Sequence, residues 1–263
     1  MRNAIKYTLV FLLIRLFTEL PMMIVSHFTN VDRAMLSLIA SGIASILIGI
    51  YVVRQGEVRI QKESFSVKSW TIFIPCLMIL IFFSFPQVEL DKVLNLPDWR
   101  SERIHEMSST IPGLIIIGIV APIAEEFLFR GAVLKSLLEW KKISGKPWLA
   151  ILLSAILFAL AHRNPAQIPA AFLFGLLFGW LFFRTRSLLP GIVLHIIHNS
   201  YICAAALSQK YLQINVPQTT SGTLHSPGPD YLSMCIFLVF LAASLIFLVR
   251  LINKYYPLPA PKL

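Results

Sequence analysis

The stretch IIIGIVAPIAEEFLFRGAVL, residues 115 to 134, places two adjacent carboxylates, Glu125 and Glu126, and a guanidinium, Arg130, inside a run otherwise made for lipid. An ionised side chain at the centre of a spanning helix costs on the order of 2.5 to 3.5 kcal/mol on insertion scales, so such residues pair, face a watery cavity or do chemistry. Helical geometry separates the two acids. Glu126 and Arg130 are four residues apart and lie about 40° from each other around the axis, which allows an ion pair, whereas Glu125 points about 100° away. Glu125 is therefore expected to face a cavity without a close cation and to be the carboxylate free to accept a proton. Pro122, one turn earlier, removes the backbone bond to Gly118 and should kink the helix there.

The rest of the chain explains why such a run is present. With 57% hydrophobic and 14% charged residues and a mean hydropathy of +0.74, it is far more apolar than a soluble domain. Apolar runs fall at about 4–27, 34–53, 69–86, 111–137, 148–162, 167–183, 188–207 and 231–252, each to be judged against the roughly 20 residues a spanning helix needs. The expected fold is all-α: a polytopic membrane helical bundle of about eight transmembrane helices around an intramembrane polar cavity. Fifteen Lys and Arg fall in the segments that include both termini and alternate gaps, and six in the others. By the positive-inside bias this predicts a multi-pass protein of the cell membrane with both termini cytoplasmic. The formal charge of +10 is thus an orientation signal, and no nucleic-acid partner is expected. The first helix is longer than a signal-peptide core and is read as retained. Cys76, Cys203 and Cys235 fit neither a disulfide framework nor a CxxC metal site.

Two further polar constellations accompany the glutamates. FALAH, residues 158 to 162, puts Phe158 and His162 on one helical face, and HIIHN, residues 195 to 199, does the same for His195 and Asn199. Together with Glu125 they supply a base, an electrophile or metal ligand, and a donor set for an oxyanion. Other polar residues have plainer readings. Arg15 and Glu19, four apart, are expected to satisfy each other. His198 reads as a neighbour supporting His195, and His105 and His225 fall in expected loops. Gly175 and Gly179 form a small-xxx-small face for close helix packing.

In its order, EExxxR at Glu125 to Arg130, FxxxH at Phe158 to His162 and HxxxN at His195 to Asn199, the chain resembles the CPBP intramembrane proteases, a family that takes its name from CAAX proteases and bacteriocin-processing enzymes and is also called Abi. The resemblance covers about residues 108–207. It divides the chain into N-terminal transmembrane helices and loops (1–107), a CPBP-like catalytic core (108–207) and a loop with a C-terminal transmembrane helix (208–263). It implies an endopeptidase that cleaves a membrane-embedded or lipid-anchored peptide or protein within the bilayer. Glu125 and His162 would activate water, His195 and Asn199 would stabilise the oxyanion, and Glu126, Arg130 and Phe158 would support them. Zinc is the one cofactor to consider, on Glu125, His162 and His195, but a glutamate-activated water needs no metal, and none is favoured. The readings set against this are a proton-coupled transporter, which would favour related halves not found here, and a catalytically silent scaffold or immunity protein.

The run 148–162 holds too few residues to span, and the breaker RNPAQIP follows at 163–169. These two runs are expected to form a hairpin that turns within the bilayer, its turn lining a wet cavity, with Arg163 solvated near that cavity.

Overall fold

A computed structural model describes residues 1–143, 145–212 and 230–258 of the chain. His225 and most of the expected loop 208–230 lie outside the described residues. Among those described, the protein is helical and has no strands. Nine helices are numbered here in chain order: α1 (Arg2–Phe28), α2 (Arg33–Arg54), α3 (Phe73–Leu94) and α4 (Ser101–Ser108) lead into α5 (Ile111–Leu138), followed by α6 (Pro147–Ala161), α7 (Ile168–Thr185), α8 (Leu189–Leu212) and α9 (Tyr231–Tyr255). Among the described residues, seven stretches are long and apolar enough to cross a membrane, containing every helix except α4 and α6.

Three antiparallel pairs, α1 with α2, α3 with α9, and α6 with α7, surround α5 and α8. The apolar patterning explains the arrangement. Helices α1 and α9 carry apolar residues all round, leaving Phe17, Met23 and Val239 on the outside as a lipid-facing surface. Association between such helices cannot rest on burying oil in oil, so it depends on close packing and internal polar contacts. One cluster joins α1, α2, α5 and α6 through Phe11, Ile48, Phe129, Ile151 and Phe158. A second joins α3, α7, α8 and α9 through Cys76, Phe174, Phe178, Leu194 and Leu248. Between α6 and α7 the approach is close: a Cβ on Gly175 would fall 2.9 Å from the Cα of Ala155.

The short helix forms as expected, and the turn after it has a definite structure. At 1.5 Å per residue the 15 residues of α6 reach about 22 Å, less than the roughly 30 Å hydrocarbon core. Its partner is longer than the sequence suggested, because a single 3-10 turn, Pro165–Gln167, extends it in front of Ile168. Arg163 takes a left-handed conformation (φ 53°), which reverses the chain before Pro165. Asn164 is completely buried, although its neighbours on either side are not. Its amide donates to Asp98 Oδ1 (2.9 Å), and its carbonyl accepts from the backbone N–H of Trp99 (3.2 Å). The 95–100 segment therefore caps the hairpin turn. His105, expected in a loop, lies instead on α4.

Removing this cap should loosen the hairpin. Asn164→Ala leaves the Trp99 N–H without its acceptor and Asp98 without one of its donors, at a cost of about 1–3 kcal/mol for a buried group left unsatisfied. Thermal unfolding of the detergent-solubilised variant should show a lowered midpoint, and an unchanged midpoint would show that the turn is not held this way.

Candidate active site

Helix α5 carries the glutamates, and it does not break at Pro122. It widens one turn earlier: over Ile116–Val120 the winding is π-helical, and Ala121 N–H donates to Ile116 O, five residues back. The carbonyl of Gly118, which proline deprives of its usual donor, accepts instead from Ser200 Oγ on α8 (3.3 Å), and Ile117 O accepts from Asn199 Nδ2 (3.1 Å). The proline thus becomes an attachment point for α8.

Beyond the glutamates α5 widens again, over Phe127–Leu134. Arg130 Nη1 donates to Glu126 Oε1 at 2.8 Å, and both side chains are sealed from solvent, Arg130 at 1% and Glu126 at 0% exposure. The guanidinium is also directed by Gly175 O on α7 (3.4 Å from Nη2) and lies over the rings of Phe158 (4.4 Å) and Phe178 (5.4 Å). Glu126 has a second task that the sequence did not reveal: its Oε1 lies 3.1 Å from His195 Nδ1. Gly191 permits that approach of α8, since a Cβ there would stand 2.5 Å from Glu126 Oε2. A glycine four residues before a motif histidine was the available signal.

Glu125 turns the other way, into a cavity, but the expectation that it lacks a cation is wrong. Arg15 Nη2 on α1 lies 3.5 Å from Glu125 Oε1, while Arg15 Nη1 donates to Ser41 Oγ on α2 (3.1 Å). The expected Arg15–Glu19 pair does not form either. Glu19 bonds Arg163 Nη2 at 2.6 Å and lies 3.8 Å from Arg100 Nη2, so Arg163 is paired as well as bordering the cavity. Local spacing could not anticipate this, because the competing partners come from residues 100 to 163, brought in by tertiary packing.

The histidines converge on the same space. His195 Nε2 lies 3.8 Å from Glu125 Oε2, so the imidazole stands between the two glutamates. His162 Nδ1 contacts Phe158 O at 2.9 Å, and the Phe158 ring packs against both His162 (4.9 Å) and His195 (5.8 Å). His198 packs on Phe174 (4.4 Å). Glu125, Phe158, His162, His195, His198 and Asn199 all line one cavity of about 530 Å³, whereas Glu126 and Arg130 lie behind its wall. As metal ligands these side chains fit poorly. Among the described residues no three His, Cys, Asp or Glu are grouped as a metal would require.

Residues 107–201 match the model of a family described as type II CAAX prenyl endopeptidase Rce1-like. The match agrees with the resemblance to the CPBP family that the three motifs carry. The membrane-embedded CAAX protease MroQ of Staphylococcus aureus (strain USA300) is 28% identical over 108 residues, 39% of this chain and 43% of that protein. YdiL of Bacillus subtilis (strain 168), which carries the name of a membrane peptidase, is 26% identical over 117 residues, 43% of this chain and 46% of its own length. The chain thus spans less than half the length of these curated relatives. No solved structure matches. The matched segment contains α5, α6, α7 and most of α8, and so every motif residue; Arg15, Glu19 and Ser41 lie outside it.

The buried pair makes a prediction about stability. Arg130→Met should destabilise the protein by about 3–5 kcal/mol, because breaking the buried pair leaves Glu126 with only its contact to His195 Nδ1. Adding Glu126→Gln to that variant should recover part of the loss. Equal unfolding midpoints for the single and double variants in detergent would show that charge pairing is not what Arg130 contributes.

Proposed function

We propose that the protein is an intramembrane endopeptidase that hydrolyses a peptide bond of a membrane-associated peptide or protein, with water activated by Glu125. The carrying observation is that Glu125, His162, His195 and Asn199, from α5, the end of α6 and α8, border a single cavity. In this reading a water between Glu125 and His162 attacks the scissile carbonyl carbon. Its proton passes to the Glu125 carboxylate, the carbonyl oxygen becomes an oxyanion, and the proton is then delivered to the leaving amine as the C–N bond breaks.

His195 is suited to the oxyanion. Glu126 engages Nδ1, which leaves Nε2 to face the reacting atoms, and as an imidazolium the ring donates from both nitrogens. Asn199 Nδ2 carries two hydrogens, one given to Ile117 O, so a second donor remains for the same oxygen. Arg15 holds Glu125 from the far side, and its bond to Ser41 fixes the guanidinium in turn. Glu126 and Arg130 position; they do not react. The candidate metal donors are not grouped as ligands, so no step is assigned to a metal. The asymmetry of Lys and Arg along the chain supports both termini on the cytoplasmic side.

The decisive measurement is turnover of membrane-peptide libraries by the purified chain in detergent. Glu125→Gln should lower the rate by at least the roughly 10²- to 10⁴-fold typical of a positioned base, with the unfolding midpoint retained. Full cleavage by that variant would remove Glu125 from the role. Exhaustive chelation should leave turnover intact; activity lost with one zinc per chain and restored by its return would require a metal mechanism instead.

A further inference from the structure

The cavity extends well past the glutamates, and its wall is rich in arginine. Arg15, Arg33, Arg100, Arg103 and Arg163 border it, against four carboxylates, Glu19, Asp91, Asp98 and Glu125. The carboxylates are unevenly engaged. Glu125 is held by Arg15, and Asp98 Oδ1 accepts from Asn164 and from the backbone N–H of Arg100. Glu19 alone serves both Arg163 and Arg100, while Arg103 and Asp91 make no ion pair among the described residues.

Two guanidiniums offer more donors than one carboxylate can accept, and Arg163 Nε is buried with no partner among the described residues. Arg100 registers the surplus of positive charge. Burial pushes its guanidinium below the usual range, Arg163, Arg15 and Arg103 push the same way, and Glu19 opposes them. A clip that merely tied α1 to the hairpin turn would need one arginine for one glutamate. Here two arginines share a single acid, and Arg103, with no ion pair among the described residues, borders the same cavity.

The position of this surplus links it to the reacting groups. Glu19 lies one turn past Arg15 on α1, about 6 Å along the axis, and Arg15 touches Glu125. Arg163 directly follows His162. An extended peptide advances about 3.3 Å per residue, so a chain with one bond at Glu125 brings a group a few residues away alongside these arginines. We propose that Arg100, Arg103 and Arg163 form a subsite for a carboxylate of the bound peptide, occupied by Glu19 until the peptide carboxylate displaces it. The substrate class rests on the protease reading given above, but the binding itself requires no turnover.

The test uses the full chain carrying Glu125→Gln in neutral detergent and three fluorescent apolar dodecapeptides, read by anisotropy. One has a free C-terminal carboxylate and no acidic side chain, one a C-terminal amide with an internal Glu, and one an amide with Gln in its place. At least one carboxylate peptide should bind about tenfold tighter than the uncharged one, and the two arms identify a terminal or a side-chain source. Adding Arg100→Gln or Arg103→Gln should bring that ratio towards one; adding Glu19→Gln should raise it by removing the competing carboxylate. A purely structural clip would lower stability in Glu19→Gln and Arg100→Gln alike without touching the ratio. Equal affinities for all three peptides, or a ratio unchanged in both arginine variants, would overturn the proposal. Arg103 has no ion pair to lose, so its variant keeps the test valid if the others fail to fold. Charge-selective binding combined with no cleavage by the wild-type chain would uphold the subsite and remove the protease reading.

Discussion

A guanidinium and a carboxylate sealed together inside a lipid-facing bundle set the terms for the rest of this structure. Taking each ion out of water costs several kcal/mol, and their mutual attraction repays this only where the remaining donors and acceptors also find partners. The surroundings of Glu126 and Arg130 meet that condition in part, from four helices; Glu126 Oε2 and Arg130 Nε are buried without a hydrogen-bond partner among the described residues. Helix α5 supplies both charges, α7 a carbonyl and the ring of Phe178, α6 the ring of Phe158, and α8 the imidazole of His195. Glycines at 175 and 191 leave the space in which those helices approach. The pair therefore fixes the relative placement of all three motifs before any substrate is present.

The same arrangement divides labour between neighbouring acids. A hundred-degree step around α5 sends one carboxylate into the protein and the next into the cavity. Glu126 becomes an anchor for Arg130 and His195, and Glu125 meets Arg15 at the longer distance of 3.5 Å, with its side chain 14% exposed. His195 spans the two, Nδ1 towards the anchor and Nε2 towards the cavity. A carboxylate that orients an imidazole through one nitrogen leaves the other nitrogen aimed, a device that rigid active sites use widely.

The cavity wall has two origins. The segment that matches the family model provides the motif residues, while α1, α2 and the region from α3 to α4 provide Arg15, Ser41, Glu19, Asp98 and Arg100. The hairpin turn joins them, because Asn164 bonds the 95–100 segment and Arg163 bonds α1. A buried asparagine at the tip of a short helix is thus what brings His162 and the arginine-rich wall to one space.

The sequence by itself determined the helical class, the positions of the membrane runs, the shortness of α6 and the opposite orientation of Glu125 and Glu126. All of these depend on length, composition or the 3.6-residue period, which are local properties. It also determined the order of the polar motifs, and hence which residues to look for. What tertiary structure decided was pairing. Arg15 and Glu19 are ideally spaced to bond each other, yet Arg15 finds its partner on α5 and Glu19 in the hairpin turn, because long flexible side chains facing a shared cavity choose by distance in space. The proline at 122 was legible as the loss of a backbone bond; that Ser200 would take up the orphaned carbonyl was not. Nor could spacing show that Glu126 holds His195, since that contact spans 69 residues of sequence and exists only because Gly191 lets α8 approach α5. Periodicity assigns a residue to a face, and only packing decides which side chain meets it there.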